Sequence, residues 1–302
     1  MPTLNNTAPP EPLAEAVRER EQALRQLLGS GLDAVPSEQR SVITDELEHQ
    51  LQRMVICSEY ITDEFALRPE LALEVLSEVR GPVIDLEAYC ERGRLRLAMN
   101  NSAEIGAAGE MEAFQRALRL WRHHEMTRIA WRDLAGHAQV LDILAELSDF
   151  AEASIKLTLA FVEERLRQRF GAPRCAEGIE QHLLVLAMGK LGGRELNFSS
   201  DIDLILCYPS AGSTDGDRLL SNEEFFRKVA QQFQQCLGKV TEHGFVFRVD
   251  LRLRPFGDSG PLVMNFDGLE HYYVTQGREW ERYAMIKAVS YTHLTLPTTP
   301  YV

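Results

Sequence analysis

Apolar residues recur at spacings of three and four through the first half of the chain, from Leu13 to about Gly171. This period is typical of amphipathic helices, which turn one apolar face towards a core. The segments that show it are "LAEAVREREQALRQLL", "VITDELEHQLQRMVICSEYI", "EMEAFQRALRLWRHHEMTRIAWRDLAG" and "AQVLDILAELSDFAEASIKLTLAFVEERLRQRFG". Glycine or proline punctuates them. The pattern predicts an all-helical region over residues 13–175.

The hydrophobic period changes near residue 180. Two short aliphatic runs bounded by turn residues, "HLLVLAMG" and "DIDLILCYP", predict strands. A helical segment, "NEEFFRKVAQQFQQCLGKVTEHG", follows Ser221 or Asn222 as its N-cap, and "FVFRVDLRLRP" predicts a third strand. The chain is therefore predicted to be α+β, with an N-terminal helical arm followed by a unit of strands and helices over residues 176–288.

The two ends of the chain differ from the segments between them. Residues 1–12, "MPTLNNTAPPEP", are polar and proline-rich, which predicts disorder. After "WERYAMIKA", residues 289–302 contain two prolines and no Asp, Glu, Lys or Arg, so they cannot extend an amphipathic helix. We interpret residues 289–302 as a non-native tail and expect it to be disordered or unpacked.

Composition excludes some classes of partner. The formal net charge of −13 argues against a general nucleic-acid binder, because such affinity comes from Lys and Arg. The sequence contains no signal peptide and no apolar run long enough to span a bilayer, so no membrane partner is expected. The five cysteines form no CxxC pair, which favours free thiols in a reducing compartment. We expect a cytoplasmic protein.

Two carboxylates two residues apart are the first candidate for chemistry. If Asp201 begins a strand, Asp201 and Asp203 share one face of it. Like charges this close repel unless a cation lies between them, and oxygen ligands suit Mg²⁺. This pair predicts a magnesium site.

The third strand predicts a carboxylate among guanidinium groups. Its apolar residues alternate with a polar face, which consists of Arg248, Asp250, Arg252 and Arg254. Arginine suits phosphate because its planar fork donates paired hydrogen bonds. The alternative is that both polar faces are solvated edges of strands with surface ion pairs.

A glycine-rich loop, "GKLGGRELNFSS", follows the first predicted strand. Glycine lets backbone N–H groups approach a phosphate closely. A glycine loop alone is weak support, since Gly192 and Gly193 also suit an ordinary turn.

These segments carry a family resemblance. Gly189, Asp201, Asp203 and Asp250 resemble the pattern of nucleotidyltransferases with a DNA polymerase β-like fold. The longer strings "GKLGGRELNFSSDIDLI", "FRVDLRLRPFG", "EMTRIAWRDLAG" and "WERYAMIKA" resemble the bacterial bifunctional glutamine synthetase adenylyltransferase/adenylyl-removing enzymes. "RELNFSSDIDL" is more similar to their N-terminal, adenylyl-removing half.

The resemblance implies a reaction and its participants. The family domain removes AMP from a tyrosine of adenylylated glutamine synthetase by phosphorolysis, which gives ADP. It implies two Mg²⁺ ions, held by Asp201, Asp203 and Asp250 as the catalytic residues. Nucleotide and inorganic phosphate are the implied substrates or products, glutamine synthetase is the implied partner, and a PII-type nitrogen signalling protein is a further candidate partner.

The residues expected to bind nucleotide or phosphate are those of the glycine loop and the third strand: Gly189, Lys190, Gly192, Gly193, Ser200, Arg252 and Arg254. The superfamily has Gly-Ser where this chain has Gly189-Lys190, so Lys190 or Ser200 is expected to replace the serine contact. Two alternatives stay open: AMP transfer from ATP to a protein tyrosine, and an inactive docking or sensing fragment.

Two weaker candidates lie on a helix. "HHE", His123 to Glu125, is interpreted as a surface patch rather than a metal site, because adjacent helical positions diverge. Arg128, Arg132 and Asp133 are interpreted as a buried polar network that braces the active site, with exposed ion pairs as the alternative.

Overall fold

The computed structural model describes residues 11–98 and 107–290. Contacts divide the chain into two compact units, one within residues 1–83 and 122–143 and the other within residues 84–121 and 144–302. The predicted domain boundary at residue 175 stays a prediction. The predicted disorder of the N-terminus falls mainly on residues 1–10, outside the described residues, and Glu11 already begins a helix.

Helices account for the described part of the chain up to Phe170. In order they are α1 (Glu11–Leu32), α2 (Ser37–Cys57), α3 (Glu59–Leu67), α4 (Pro69–Glu78), α5 (Leu86–Ala98), α6 (Ala107–Ala135) and α7 (Val140–Phe170). A helical N-terminal region is confirmed, but the prediction is wrong for its last residues, because Pro173–Cys175 form a strand. One predicted helix is divided at Ser58, whose hydroxyl accepts a hydrogen bond from the Ile61 amide at 3.2 Å and caps α3.

The core of the first unit lies between α1 to α4 and the C-terminal half of α6. Phe65 stacks on Trp131 with 5.4 Å between ring centroids. The apolar residues of this core are fully or almost fully buried: Leu24, Leu28, Ile43, Leu47, Leu51, Met54, Ile61, Phe65, Ala72, Val75, Leu76, Val79 and Trp131. The apolar spacing read from the sequence therefore marks a real core.

The second unit contains the strands: β1 (Pro173–Cys175), β2 (Leu184–Ala187), β3 (Ile202–Tyr208), β4 (Gly212–Thr214), β5 (Val249–Asp250), β6 (Met264–Asn265) and β7 (Val289–Ser290). The larger sheet has the order β5-β3-β2-β7, with β6 also paired to β3. β2 is antiparallel to β3 and to β7, whereas β5 and β6 run parallel to β3. This is a mixed sheet, and the α+β prediction is confirmed. β1 and β4 form a separate antiparallel pair.

Helices flank the sheet: α8 (Gly189–Gly192), α9 (Asn222–Gly238), α10 (Phe266–Thr275) and α11 (Glu279–Ala284). The Ser221 hydroxyl accepts a hydrogen bond from the Glu224 amide at 3.1 Å, which confirms the predicted cap of α9. Inside this unit, Phe150 of α7 packs against Trp121 of α6 and against Phe247, with ring centroids 4.8 and 5.6 Å apart. The helices of this unit therefore share a core with the residues that precede β5.

The predicted third strand is much shorter than expected. Of "FVFRVDLRLRP", only Val249 and Asp250 are in a strand. The Asp250 carboxylate accepts a hydrogen bond from the Arg252 amide at 2.8 Å, so the side chain turns the chain away from the sheet. The predicted polar face from Arg248 to Arg254 is therefore wrong as a strand face.

The end of the chain is described only as far as Ser290. Val289 and Ser290 pair with β2, so the expectation that the tail is unpacked is wrong for these two residues. The rest of the predicted tail, residues 291–302, lies outside the described residues. Among the described helices, none is long and apolar enough to cross a membrane.

Candidate active site

The connection from β2 to β3 holds Gly189 beside Asp203. The Met188 amide donates to the Asp203 carbonyl at 2.8 Å, which continues the β2–β3 ladder by one residue. Gly189 has a φ of +56°, and a Cβ on it would lie 2.8 Å from Asp203 Oδ2. Only glycine adopts this conformation without strain and leaves room for the carboxylate. The backbone conformation at position 189 and the contact with Asp203 therefore explain why a glycine stands there.

Three aspartates meet at the edge of the sheet where β3 and β5 begin to pair. Asp203 and Asp250 are register partners in the parallel pair, and Asp201 immediately precedes β3. Burial raises the pKa of Asp203, and the charges of Asp250 and Asp201 raise it further. The three carboxylates are therefore close enough to repel one another.

Two arginines form ion pairs with Asp201 and Asp250, which we call the outer carboxylates. Arg252 Nε donates to Asp250 Oδ1 and Oδ2 at 3.0 and 2.9 Å, and its Nη2 also pairs with Oδ2. This hydrogen bonding lowers the pKa of Asp250, although burial opposes the shift. Arg248 pairs with Asp201 through Nε and donates from Nη2 to the Ser199 carbonyl. Among the described residues, Asp203 forms no ion pair with an arginine.

An open pocket of about 390 Å³ lies beside these groups. Its lining is mainly polar: Asp201, Gln234, Val249, Asp250, Leu251, Arg252, Arg254, Asp258 and Leu262. Arg252 is the most exposed of the paired groups, with 71% of its side chain accessible, against 15% for Asp250. The pocket therefore combines carboxylates with an accessible guanidinium group.

The glycine loop is more ordered than the sequence predicts. Gly189 to Gly192 form the short helix α8. Gly192 is buried, and a Cβ on it would lie 2.0 Å from the Lys287 carbonyl and 2.6 Å from the Ala187 carbonyl. The Gly193 amide donates to the Gly189 carbonyl at 3.0 Å. These contacts give Gly192 and Gly193 a packing role in the turn.

Lys190 and Ser200 lie together near Asp203. Lys190 Nζ donates to Ser200 Oγ at 3.2 Å, and Ser200 Oγ donates to Asn197 Oδ1 at 2.7 Å. The Lys190 charge also opposes the rise in the pKa of Asp203. The two residues are thus in contact with each other, and the expectation that Lys190 or Ser200 contacts phosphate stays a prediction.

Arg254 has a different environment from Arg252. Its guanidinium group donates to the Leu251 carbonyl at 2.8 Å, the Asp258 carbonyl at 3.1 Å and the Gly260 carbonyl at 3.4 Å. Only 14% of its side chain is exposed. Arg254 therefore braces the turn that forms one wall of the pocket.

The sequence interpretation missed the anchor of the glycine loop on α7. Arg194, in a left-handed conformation with a φ of +55°, pairs with Asp149 at 2.8 Å. Ser148 Oγ accepts a hydrogen bond from the Leu196 amide at 3.3 Å. Nothing in the local pattern of "LSDF" indicates a partner some 45 residues away. Gln234 and Asp258 of the pocket were also missed, and Arg248 was seen only as part of a strand face.

The expected surface patch at "HHE" is wrong. His123, His124 and Glu125 are all buried, and so are Arg128 and Arg132. The expected burial is confirmed for the two arginines but is wrong for Asp133, which is exposed. His123 Nδ1 lies 2.8 Å from Glu64 Oε1, and Arg128 Nε donates to Glu125 Oε2 at 2.9 Å. These groups form a buried polar network within the first unit.

Within residues 11–98 and 107–290, no three His, Cys, Asp or Glu side chains are arranged to hold a metal ion. At the sheet edge, Asp201 and Asp250 are instead engaged by Arg248 and Arg252. The carboxylate oxygens of Asp201, Asp203 and Asp250 are nevertheless the type of ligand that suits Mg²⁺. Burial raises the pKa of Asp203, and the charges of Asp250 and Asp201 raise it further. Binding would require the arginines to move.

Comparison with known proteins decides the family. The model of the glutamate-ammonia ligase adenylyltransferase family matches residues 48–294. The chain belongs to this family. It is 46% identical over 285 residues to a protein of Thioalkalivibrio sulfidiphilus named bifunctional glutamine synthetase adenylyltransferase/adenylyl-removing enzyme. That match covers 94% of this chain and 28% of the relative.

Two other relatives carry the same name. One from Aromatoleum aromaticum is 43% identical over 274 residues, covering 90% of this chain and 27% of the relative. One from Nitrosococcus oceani is 54% identical over 173 residues, covering 57% of this chain and 18% of the relative. The matched part of the chain thus covers between 18% and 28% of the length of these relatives.

Proposed function

We propose that this chain is a magnesium-dependent nucleotidyltransferase segment that removes AMP from a tyrosine of adenylylated glutamine synthetase by phosphorolysis. The observation that supports it most is the meeting of Asp201, Asp203 and Asp250 beside a pocket with an accessible guanidinium group. The family match and the printed names of the relatives support the substrate.

In this reaction, an oxygen of inorganic phosphate attacks the phosphorus of the AMP–tyrosine linkage. The bond from phosphorus to the tyrosine oxygen breaks, and the phenolate takes a proton from solvent, so the products are ADP and tyrosine. Asp201, Asp203 and Asp250 would hold Mg²⁺, which supplies positive charge for the phosphoryl oxygens. Arg252 would orient the anion through its paired N–H groups.

The partners and the location belong to the same proposal. Glutamine synthetase is the protein substrate because the relatives' names specify it. A PII-type nitrogen signalling protein as a further partner rests on the family resemblance. A cytoplasmic location rests on the free cysteines, of which Cys90, Cys207 and Cys236 are buried.

The direct test is to incubate the folded chain with AMP-modified glutamine synthetase, Mg²⁺ and inorganic phosphate, and to measure ADP. We expect ADP release that depends on phosphate. Incorporation of AMP from ATP into unmodified glutamine synthetase, without ADP release from the modified form, would replace this proposal by the opposite reaction. Neither reaction with folded chain would indicate a docking or sensing segment.

Gly189→Ala tests the contact between the glycine and Asp203. We expect it to lower phosphorolysis at least about tenfold, because the new methyl group displaces the Asp203 carboxylate. Gly178→Ala is the matched control, since Gly178 also has positive φ, +79°, but open space around its Cβ. Both variants should lose about 1 kcal/mol of stability from backbone strain. Equal activity of the two variants would contradict the role of this contact.

Arg252 and Arg254 are expected to respond differently to lysine. Arg252→Lys should raise the KM for phosphate about tenfold, because lysine keeps the charge but loses the planar fork. Arg254→Lys should lower kcat and thermal stability together, since one ammonium group cannot replace three bonds to backbone carbonyls. Initial rates against phosphate concentration, with thermal melts, check both. Unchanged kinetics in Arg252→Lys would mean that the Arg252 guanidinium group does not bind phosphate.

A further inference from the structure

Arg252 occupies the whole acceptor capacity of Asp250. Oδ1 accepts from the Arg252 amide at 2.8 Å and from Nε at 3.0 Å, while Oδ2 accepts from Nε at 2.9 Å and from Nη2. An ionised carboxylate has about four lone-pair sites. A cation that binds Asp250 must therefore displace the guanidinium group.

Arg248 forms a similar ion pair with Asp201. Its Nε pairs with Asp201 Oδ1, and its Nη2 donates to the Ser199 carbonyl. The side chains of Arg248 and Arg252 are 58% and 71% exposed. The Arg248–Asp201 pair is exposed on both sides, and the Arg252 side chain is mainly in solvent although Asp250 is not, so both guanidinium groups can be released at small cost.

Asp203 lies between these two pairs and is not itself bound by an arginine among the described residues. It is also less exposed than the ends of the arginines, and it lies against Gly189. A divalent cation therefore meets no paired arginine at Asp203, but it competes with Arg248 and Arg252 for Asp201 and Asp250. We propose that Arg248 and Arg252 are displaceable counter-ions, exchanged for a divalent cation, and that the released Arg252 binds the phosphate substrate.

This exchange rests on the proposed function and adds to it an order of binding, in which the cation precedes the phosphate. Arg252 lines the pocket beside Asp250, so a guanidinium group that leaves the carboxylate is already placed for an anion. Cation binding would then create the anion site. By thermodynamic linkage, phosphate must strengthen cation binding by the same factor. Arg252 would thus be a counter-ion of Asp250 before the cation binds and a contact for the anion afterwards.

Mn²⁺ is a suitable probe, because its binding to the full chain is measured by electron paramagnetic resonance without turnover. We expect Arg252→Gln to bind Mn²⁺ about five- to tenfold more tightly than the unsubstituted chain in the absence of phosphate, since the competing group is gone. Arg248→Gln should show a smaller change of the same sign. Phosphate should tighten Mn²⁺ binding in the unsubstituted chain, but much less in Arg252→Gln.

Two controls separate exchange from simple charge removal. Arg174→Gln breaks an exposed Arg–Asp pair with Asp215 outside the pocket and should leave Mn²⁺ affinity unchanged. Lys190→Gln removes a charge that acts on Asp203 without a hydrogen bond to any of the three carboxylates. If Lys190→Gln tightens Mn²⁺ binding as much as Arg252→Gln does, the tighter binding comes from the loss of any nearby positive charge, and the proposed exchange is wrong.

The outcomes also separate this inference from the proposed function. If the unsubstituted, folded chain binds no Mn²⁺ at millimolar concentration, the proposed metal-dependent function fails. If it binds Mn²⁺ but Arg248→Gln and Arg252→Gln keep its affinity, the function stands and the exchange is overturned. Tighter binding in Arg252→Gln with an undiminished effect of phosphate would overturn the release of Arg252 to the anion.

Discussion

Asp203→Asn is expected to reduce phosphorolysis of AMP-modified glutamine synthetase by roughly a thousandfold, about 4 kcal/mol of transition-state stabilisation. Asp203 lies between Asp201 and Asp250, and among described residues it is the member of the three without an arginine ion pair. Asparagine keeps the shape of the side chain but has a neutral oxygen in place of a carboxylate. It should therefore lose the cation and leave the fold in place.

The same substitution should not destabilise the chain when no divalent cation is added. Burial and the charges of Asp250 and Asp201 raise the pKa of Asp203 above its ordinary value of 3.8. A raised pKa means that stability is lost as the pH rises from that value through the folded pKa. At neutral pH the ionised carboxylate is therefore a cost, and asparagine removes it. We expect an unchanged or slightly higher melting temperature.

Asp217→Asn is the matched control, because Asp217 is exposed and lies outside the pocket. It should retain full ADP release and an unchanged melting temperature. Initial rates at several Mg²⁺ concentrations and thermal melts with chelator measure both effects. Full activity of Asp203→Asn at low Mg²⁺ would show that Asp203 is not a metal ligand.

The sequence predicts which residues meet at this edge of the sheet better than it predicts the path of the backbone after Asp250. The spacing of Asp201 and Asp203 and the apolar run that follows are local, and both strands β2 and β3 form as expected. The alternation in "FVFRVDLRLRP" is also local, but its strand ends because Asp250 accepts a hydrogen bond from the Arg252 amide. A side chain that bonds to the backbone two residues later competes with a strand ladder, and residue alternation does not show which wins.

Long-range partners explain the other differences. His123 and Glu125 look exposed in the sequence because charged residues are seldom buried without partners. The partner of His123 is Glu64, 59 residues earlier, and Arg132 donates to the Val79 carbonyl at 2.8 Å. The anchor of Arg194 on Asp149 is equally remote. Helical periodicity identifies α6 and α7 but carries no information about such pairs.

Glu46→Gln is expected to lower the free energy of unfolding by about 3 kcal/mol, the scale for removing one partner of a buried charge network. Glu46 is fully buried in the first unit. Its Oε1 accepts from Trp131 Nε1 at 2.6 Å and lies 2.8 Å from His137 Nε2, and its Oε2 accepts from Arg80 Nε at 2.8 Å. Glutamine offers one acceptor oxygen, so its amide group would face a donor.

The loss should depend on pH in a defined direction. Burial alone would raise the pKa of Glu46, but hydrogen bonds with Trp131, His137 and Arg80 outweigh it and hold the pKa below the ordinary value of 4.5. A lowered pKa contributes stability that is present above 4.5 and is lost as the pH falls through the folded pKa. The difference between Glu46→Gln and the unsubstituted chain should therefore shrink below pH 4.5.

Asp45→Asn supplies the control, because Asp45 also pairs with Arg80 but 45% of its side chain is exposed. An exposed pair contributes at most about 1 kcal/mol, so this variant should lose far less stability than Glu46→Gln. Urea unfolding followed by circular dichroism at pH 7 and at several pH values down to 4 measures both. Losses of equal size in the two variants would mean that the buried contacts of Glu46 with Trp131 and His137 add nothing beyond an exposed charge pair. A Glu46→Gln loss that grows as the pH falls would contradict the lowered pKa of Glu46.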